Sequence, residues 1–227
     1  MDGILVLNKP QGFTSHDAVA LIRKRFAVKK VGHAGSLDPM ATGVLIILVG
    51  KYTKSSREFL NEDKEYDATM TLGATSDTGD AWGALTCSGR GADNTRAEIE
   101  SVFKKFLGEI DQRPPMYSAV KHKGERLYKL ARRGLKVQVE PRKVTIKAIQ
   151  ITGVSLPEVS FIVGCSKGTY IRQLCVDIGN ALGCGAHLSR LNRTRSGRFR
   201  IEQATTIEEL MRLSRSDLEK RLVTPSP

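Results

Sequence analysis

The segment Gly32-His33-Ala34-Gly35-Ser36-Leu37-Asp38-Pro39 sets one carboxylate between glycines, which let backbone come close to a ligand, and a proline, which fixes the chain behind it. An aspartate framed in this way can be held in one orientation. An ionised carboxylate so held is a feasible covalent nucleophile and a bidentate partner for a guanidinium. Asp before Pro is also ordinary turn chemistry, and from these eight residues alone both readings stand.

The flanks of this segment indicate what would have to position it. Val31 to Met40 mixes Gly, Asp and Pro without apolar periodicity and is expected to be a loop, whereas Val44 to Val49 is an unbroken apolar run between Gly43 and Gly50 and reads as a central buried strand. The loop would then hang from a rigid element. Upstream, Gly3 to Leu7 is a strand candidate ended by Asn8, Lys9, Pro10, Gln11 and Gly12, after which Thr14 or Ser15 can cap a helix that buries Val19, Ile22 and Phe26.

Further along, Tyr66, Ala68, Met70 and Leu72 alternate with polar neighbours as in a half-exposed strand, and the stretch from Gly73 to Gly91 interrupts regular structure. Thr95 with Glu98 forms a capping box for a helix facing inward through Ile99, Val102, Phe103 and Phe106. Lys143 to Val154 and Val159 to Cys165 read as strands joined near Pro157, and Tyr170 to Leu182 as a helix stopped by Gly183. Thr206 and Glu209 cap a last amphipathic helix through Ile207, Leu210 and Met211, and a polar tail follows. Strands and helices alternate without a βαβ rhythm, so the expected fold class is α+β (mixed α/β), with a central, largely antiparallel mixed sheet flanked by helices.

At 227 residues and 40% hydrophobic content the chain can build one well-buried core. We expect a main domain over residues 1–200 and a short C-terminal helix and tail over 201–227. Thirty-six Lys and Arg against 24 Asp and Glu give a net charge of +12, a field that attracts polyanions and makes nucleic acid the expected partner. Cys87, Cys165, Cys175 and Cys184 lie far apart without a C-x-x-C pair and the histidines are dispersed, so no zinc site is expected. The cysteines read as buried thiols of a reducing compartment. The longest apolar run is far too short to span a bilayer and the N-terminus has no signal-peptide pattern, which makes a cytoplasmic, membrane-free location the expectation.

Several ordered motifs converge on one family. Gly32-His33-Ala34-Gly35-Ser36-Leu37-Asp38-Pro39-Met40-Ala41-Thr42-Gly43-Val44-Leu45 resembles the G-H-x-G-x-L-D-P-x-A-T-G-x-L signature of bacterial TruB-type pseudouridine synthases. Asn8 to Ser15 looks like that family's first motif, Lys64-Glu65-Tyr66 its K-x-Y, and Asp77-Thr78-Gly79-Asp80 a further segment. Pro114-Pro115-Met116-Tyr117-Ser118-Ala119-Val120-Lys121 resembles P-P-x-Y-S-A-x-K, with Gly124, Tyr128, Ala131 and Arg132 continuing it. Gly168-Thr169-Tyr170-Ile171-Arg172 resembles G-T-Y-I-R, and Leu191 precedes a basic stretch where the family has an arginine-rich segment.

The resemblance implies the pseudouridine synthase fold and a cofactor-free, metal-free isomerase that converts uridine 55 in the T-loop of tRNA to pseudouridine. By that similarity Asp38 is the catalytic aspartate, Tyr66 stacks on the target base, Arg172 pairs with the Asp38 carboxylate and His33 helps hold the flipped nucleotide. These roles are physically sensible: a guanidinium holds a carboxylate ionised and oriented, and an aromatic face stabilises an extruded base by stacking. Lys9 and Lys121 are expected as phosphate or scaffold contacts, with Lys64 and Tyr117 in the same substrate-binding set. Leu191, with Met116 and Ile171, would wall in the detached uracil. Arg190, Arg193, Arg195, Arg198 and Arg200 are expected to touch RNA backbone.

The implied course is nucleotide flipping, action of Asp38 at ribose or base, scission of the glycosidic bond, rotation of uracil and C–C bond formation with loss of the C5 proton. The expected partner is the T-stem-loop of tRNA, bound by a monomer with no obligate protein partner. Family members commonly carry a PUA domain after the catalytic one. The 27 residues following Arg200 are too few for it, so the catalytic part is expected to supply most of the affinity. Two other readings are a guide-RNA-dependent synthase of the archaeal and eukaryotic ribonucleoprotein kind and a noncatalytic RNA-folding module.

Overall fold

A computed structural model describes residues 1–87, 89 and 92–224. In chain order the elements are β1 (Gly3–Lys9), α1 (Ser15–Arg25), β2 (Val31–Ala34), β3 (Thr42–Val49), a 3-10 helix (Gly50–Ser55), α2 (Ser56–Leu60), β4 (Lys64–Leu72), β5 (Ala74–Ser76), β6 (Leu85–Cys87), α3 (Arg96–Lys104), β7 (Gly108–Gln112), β8 (Lys121–His122), β9 (Glu125–Arg126), α4 (Leu127–Arg132), β10 (Arg142–Ser155), β11 (Glu158–Cys165), α5 (Ile171–Leu182), β12 (Ala186–Ser196), β13 (Phe199–Arg200), a short 3-10 turn (Ile201–Gln203), α6 (Ile207–Arg212) and α7 (Arg215–Arg221). The chain divides into two compact units, residues 1–67 with 191–227, and residues 68–190; β4 and β12 run through the division.

In the first unit β1 pairs antiparallel with β3 from Gly3 opposite Val49 to Lys9 opposite Gly43. The other edge of β3 is shared. Near Val49 it takes β2, and near Thr42 it takes β12, which runs parallel with Asn192 opposite Thr42 and Arg193 opposite Gly43. The parallel contact requires a missing side chain: Gly43 has φ +102°, and a Cβ there would lie 2.3 Å from the carbonyl oxygen of Arg193. Both faces of β1 and β3 are buried. Ile4, Val6, Val44, Ile46 and Leu48 pack with Ala34, Phe59 and Phe199, while Leu5, Leu7, Leu45 and Ile47 are enclosed on the other face.

Helix α1 begins as a capping box in which the Thr14 hydroxyl accepts from Asp17 N–H and the Asp17 carboxylate accepts from Thr14 N–H. Val19, Ile22 and Phe26 are buried, as the apolar spacing requires. Because Thr14 is the cap, Ser15 is released for another contact. One expectation needs correcting: Val31 to Met40 is not loop throughout, since Val31–Ala34 pairs with β3. Gly32 and His33 break the apolar alternation there, and cross-strand bonding supplies what the pattern lacks.

In the second unit the strand order is β12, β4, β11, β10, β7, with β10 antiparallel to both β11 and β7. Helices α3 and α5 pack on each other, and Phe103 of α3 meets Phe161 edge to face at 5.3 Å. Helix α3 stops at Lys104, so Phe106 lies beyond it, and α5 ends on Gly183 in a left-handed conformation. The stretch after Gly73 contains a small hairpin, β5 with β6, where irregular chain was expected. Ser88, Arg90 and Gly91 lie outside the described residues. The C-terminal part has two helices instead of one, because Ser214 and Asp217 form a fresh capping box after Leu213; the last three residues of the tail lie outside the described ones. Among the described residues no helix is long and apolar enough to cross a membrane.

Candidate active site

Asp38 is half-buried in the turn between β2 and β3, and the chain on either side of it is tied down. Ser15, 4% exposed, accepts from the Leu37 N–H at 2.9 Å and donates to the Leu37 carbonyl at 3.3 Å. Gly12 N–H donates to the Pro39 carbonyl at 2.9 Å, and Ala41 N–H to that of Asp38 at 3.0 Å. Gly35, at φ +81°, reverses the chain after β2 in a conformation that a side chain would strain.

The largest anchor is Arg193. Its side chain is 1% exposed, and Nε donates to the Val44 carbonyl at 2.7 Å, while Nη2 and Nη1 reach those of Gly35 at 2.9 Å and Ser36 at 3.4 Å. One guanidinium thus joins β12, β3 and the chain leading to Asp38. The expectation that Arg193 touches RNA backbone is corrected here: its donors point at carbonyls inside the protein. Arg198 and Arg200 are exposed, and Arg195 is half-buried with Nε 3.8 Å from Glu65.

Lys9 closes β1 with a fully buried side chain whose Nζ donates to the carbonyls of Pro10 at 2.8 Å and Phe13 at 2.7 Å. This is scaffold geometry. Burial pulls its pKa down from the usual 10.5 to about 8; the Asp38 carboxylate opposes that pull and the Arg193 charge adds to it. Lys64 is likewise buried, donating to the carbonyls of Phe59 at 3.4 Å and Leu60 at 3.0 Å and also to Glu62. Tyr66 lies on β4 at 8% exposure and Leu191 on β12 at 6%.

His33 stands on β2 with its ring 5.6 Å from that of His16, edge to face, and its Nδ1 enclosed without a hydrogen-bond partner among the described residues. Burial first, then the charges of His16 and Arg193, lower its pKa below 6.5 and keep it neutral at pH 7. Asp38, His33, Lys9, Lys64, Tyr66, Leu191 and Arg193 all belong to the first unit.

Arg172, Tyr117 and Lys121 belong to the second. Arg172 opens α5 at 3% exposure, donating from Nη1 to the Thr78 carbonyl at 2.6 Å and from Nη2 to that of Tyr117 at 2.9 Å, with Nε 3.6 Å from Asp80 Oδ2. Asp80 is itself held by the Thr78 hydroxyl at 2.8 Å and Trp82 N–H at 3.0 Å. Ile171 is buried beside Arg172, Met116 and Tyr117 are half-buried, and Lys121 is exposed on β8.

Asp80 had no role assigned from the sequence; it closes a motif, which is the signal that could have found it. Ser15 was expected only as an alternative to Thr14 as the helix cap, and its contact with Leu37 was not foreseen.

A family model described as the TruB family pseudouridylate synthase N-terminal domain matches residues 23–171, and one described as the tRNA pseudouridylate synthase B C-terminal domain matches 172–225. The tRNA pseudouridine synthase B of Syntrophotalea carbinolica is 44% identical over 99% of this chain and 73% of its own length. That of Clostridium tetani is 49% identical over 92% of this chain, again 73% of its own length. Among solved structures, a chain of a Cbf5-Nop10-Gar1 complex superposes with a TM-score of 0.73 at 37% identity over 92% of this chain, which spans about half (53%) of that one.

Proposed function

Since this chain belongs to the TruB family of pseudouridylate synthases, we propose that it isomerises uridine 55 in the T-loop of tRNA, with Asp38 as the nucleophile. It is an isomerase that makes pseudouridine in tRNA, as its relatives are named for doing. The position in the tRNA and the part played by Asp38 are our reading. The observation that carries it is the anchoring of Asp38: a half-buried residue whose flanking carbonyls and N–H groups are held by Ser15, Gly12 and Arg193.

The chemistry conserves every atom. The bond from N1 to C1′ breaks, the detached uracil turns, a bond forms from C5 to C1′, the C5 proton leaves and N1 regains one. Asp38 acts at the ribose or base of a nucleotide extruded from the loop, at a cost reduced because the T-loop base is not in a regular duplex. Tyr66 stacks on that base, and Arg172 steadies the Asp38 carboxylate. His33, neutral at pH 7, contributes polarity without a second charge beside the nucleotide. The catalytic part is assigned to residues 1–200, and the protein acts as a cytoplasmic monomer without a cofactor.

The test is incubation of the purified protein with an unmodified tRNA transcript, followed by mapping of isomerised positions. Pseudouridine at position 55 is expected, and Asp38→Asn should abolish it while tRNA binding is kept. The alternative is a guide-RNA-dependent synthase, kept in view by the likeness to a chain of a multiprotein Cbf5-Nop10-Gar1 complex. Activity on an isolated T-stem-loop without guide RNA decides against that alternative, and its absence decides for it.

A further inference from the structure

Between Leu21 and Arg57 the chain carries eight Lys or Arg (Arg23, Lys24, Arg25, Lys29, Lys30, Lys51, Lys54 and Arg57) and a single acidic residue, Asp38. All eight cations are exposed, and none forms an ion pair among the described residues. They gather at one end of the first unit. Arg23 Nη2 donates to the Val31 carbonyl at 2.9 Å, Gly50 N–H donates to that of Lys30 at 2.8 Å, and Val31 stands opposite Val49. The C-terminal end of α1, the turn after it and the 3-10 helix Gly50–Ser55 are thereby brought together at the Val49 end of β3.

Asp38 lies past the opposite end of that strand, so at ~3.4 Å per residue along β3 the basic group is roughly 24 Å from the candidate nucleophile. The nearby acids are Asp2, which accepts from Lys51 N–H at 2.6 Å, Glu58, which follows Arg57, and Glu219, 3.9 Å from the N-terminal amine.

A structural account covers part of the cluster. Arg23, Lys24 and Arg25 sit in the last turn of α1, where cations complement the helix dipole. That account does not reach Lys29, Lys30 or Lys51, which end no helix, and Lys51 merely rests over the Tyr52 ring at 5.6 Å. Crowding like charges at one end of a compact unit opposes folding through self-repulsion, and a bound polyanion relieves it. No exposed large hydrophobic falls between Leu21 and Arg57; Met211, whose carbonyl accepts from Arg25, and Val223, which pairs with Ile4, are exposed near by, so charge outweighs apolar area on this surface. A sugar-phosphate backbone, met by charge and shape, is the ligand that fits it.

We propose that this basic end of the first unit is a second RNA-contact surface, which grips the backbone of the substrate tRNA outside the T-loop. The assignment to tRNA rests on the function proposed above; the phosphate chemistry does not. The experiment compares the protein with its Lys29→Ala/Lys30→Ala/Lys51→Ala/Lys54→Ala variant, folding being checked by circular dichroism. Equilibrium binding is measured in the Asp38→Asn background across a salt series, with full-length tRNA and with an isolated T-stem-loop hairpin as probes.

With each lysine releasing close to one counterion, the plot of log Kd against log salt for full-length tRNA should flatten by about 3, and affinity at low salt should fall about tenfold or more. The hairpin should lose less than about twofold. Turnover at saturating tRNA, measured with Asp38 intact, should be unchanged. An unaltered salt slope with full-length tRNA overturns the proposal, and so does an equal loss for tRNA and hairpin. Lysine-dependent tRNA binding by a protein that makes no pseudouridine would sink the proposed reaction and leave this surface standing.

Discussion

Among the described residues two arginines are buried, and they are used differently. Arg193 in the first unit bonds only main-chain carbonyls, those of Val44, Gly35 and Ser36. Arg172 in the second bonds two carbonyls and also faces the Asp80 carboxylate. With no carboxylate in direct contact among the described residues, Arg193 keeps its charge toward its neighbours: burial does most to lower the pKa of Lys9 and His33, and the Arg193 charge adds to both. A guanidinium that serves carbonyls is a clamp with an electrostatic side effect; one that faces a carboxylate is half of a charge pair, partly neutralised where it sits.

That contrast can be broken by substitution. Arg193→Ala orphans the buried Val44 carbonyl, removes the part-buried bonds to Gly35 and Ser36 and should cost about 4 kcal/mol, read as a lower melting temperature, with activity lost alongside. Arg193→Lys should recover only part, because an ammonium cannot span the same fork. A variant as stable as the parent would end the clamp account. Asp80→Asn should cost less, about 2 kcal/mol, since an amide can keep the bonds from Thr78 and Trp82 and loses only the charge opposite Arg172.

Ser15→Ala removes one hydroxyl from Leu37 and should cost about 1 kcal/mol. It should lower turnover more than tRNA affinity, because it loosens the Asp38 turn without touching a basic surface; equal effects on both would point to a general loss of structure.

The smallest effect is a pH dependence. Below pH 8 Lys9 is charged in the folded and the unfolded chain alike. Between about 8 and 10.5 the unfolded chain holds a proton that the folded chain has released, so stability should rise with pH across that window. Denaturant melts at a series of pH values would show the rise, and Lys9→Met should flatten it. For His33 the lowered pKa gives the complementary loss: stability should fall as pH drops below 6.5, and His33→Gln should lessen that fall.

Elements with clean periodicity or caps were legible in the sequence. Thr95 with Glu98, Thr206 with Glu209, the apolar run of β3 and the Gly183 stop all lie where the residues put them. What was not legible depended on partners distant in the chain. Strand β2 is four residues with a glycine and a histidine in its middle, and only pairing with β3 makes it a strand. Arg193 looked like one more member of a basic run because nothing local announces that carbonyls far upstream will enclose it. The motifs supplied the candidate residues, but Asp80 entered as part of a string without a job, since its partner Arg172 lies far downstream.

The grip of Arg193 on the Asp38 turn spans 149 residues to Val44 and 158 to Gly35. Contacts of such long range form only after much of the intervening chain has been brought to order. During synthesis Asp38 and its local ties to Ser15 and Gly12 therefore leave the ribosome long before the arginine that clamps the same turn. Until residue 193 follows, the carbonyls of Gly35 and Val44 wait for their partner.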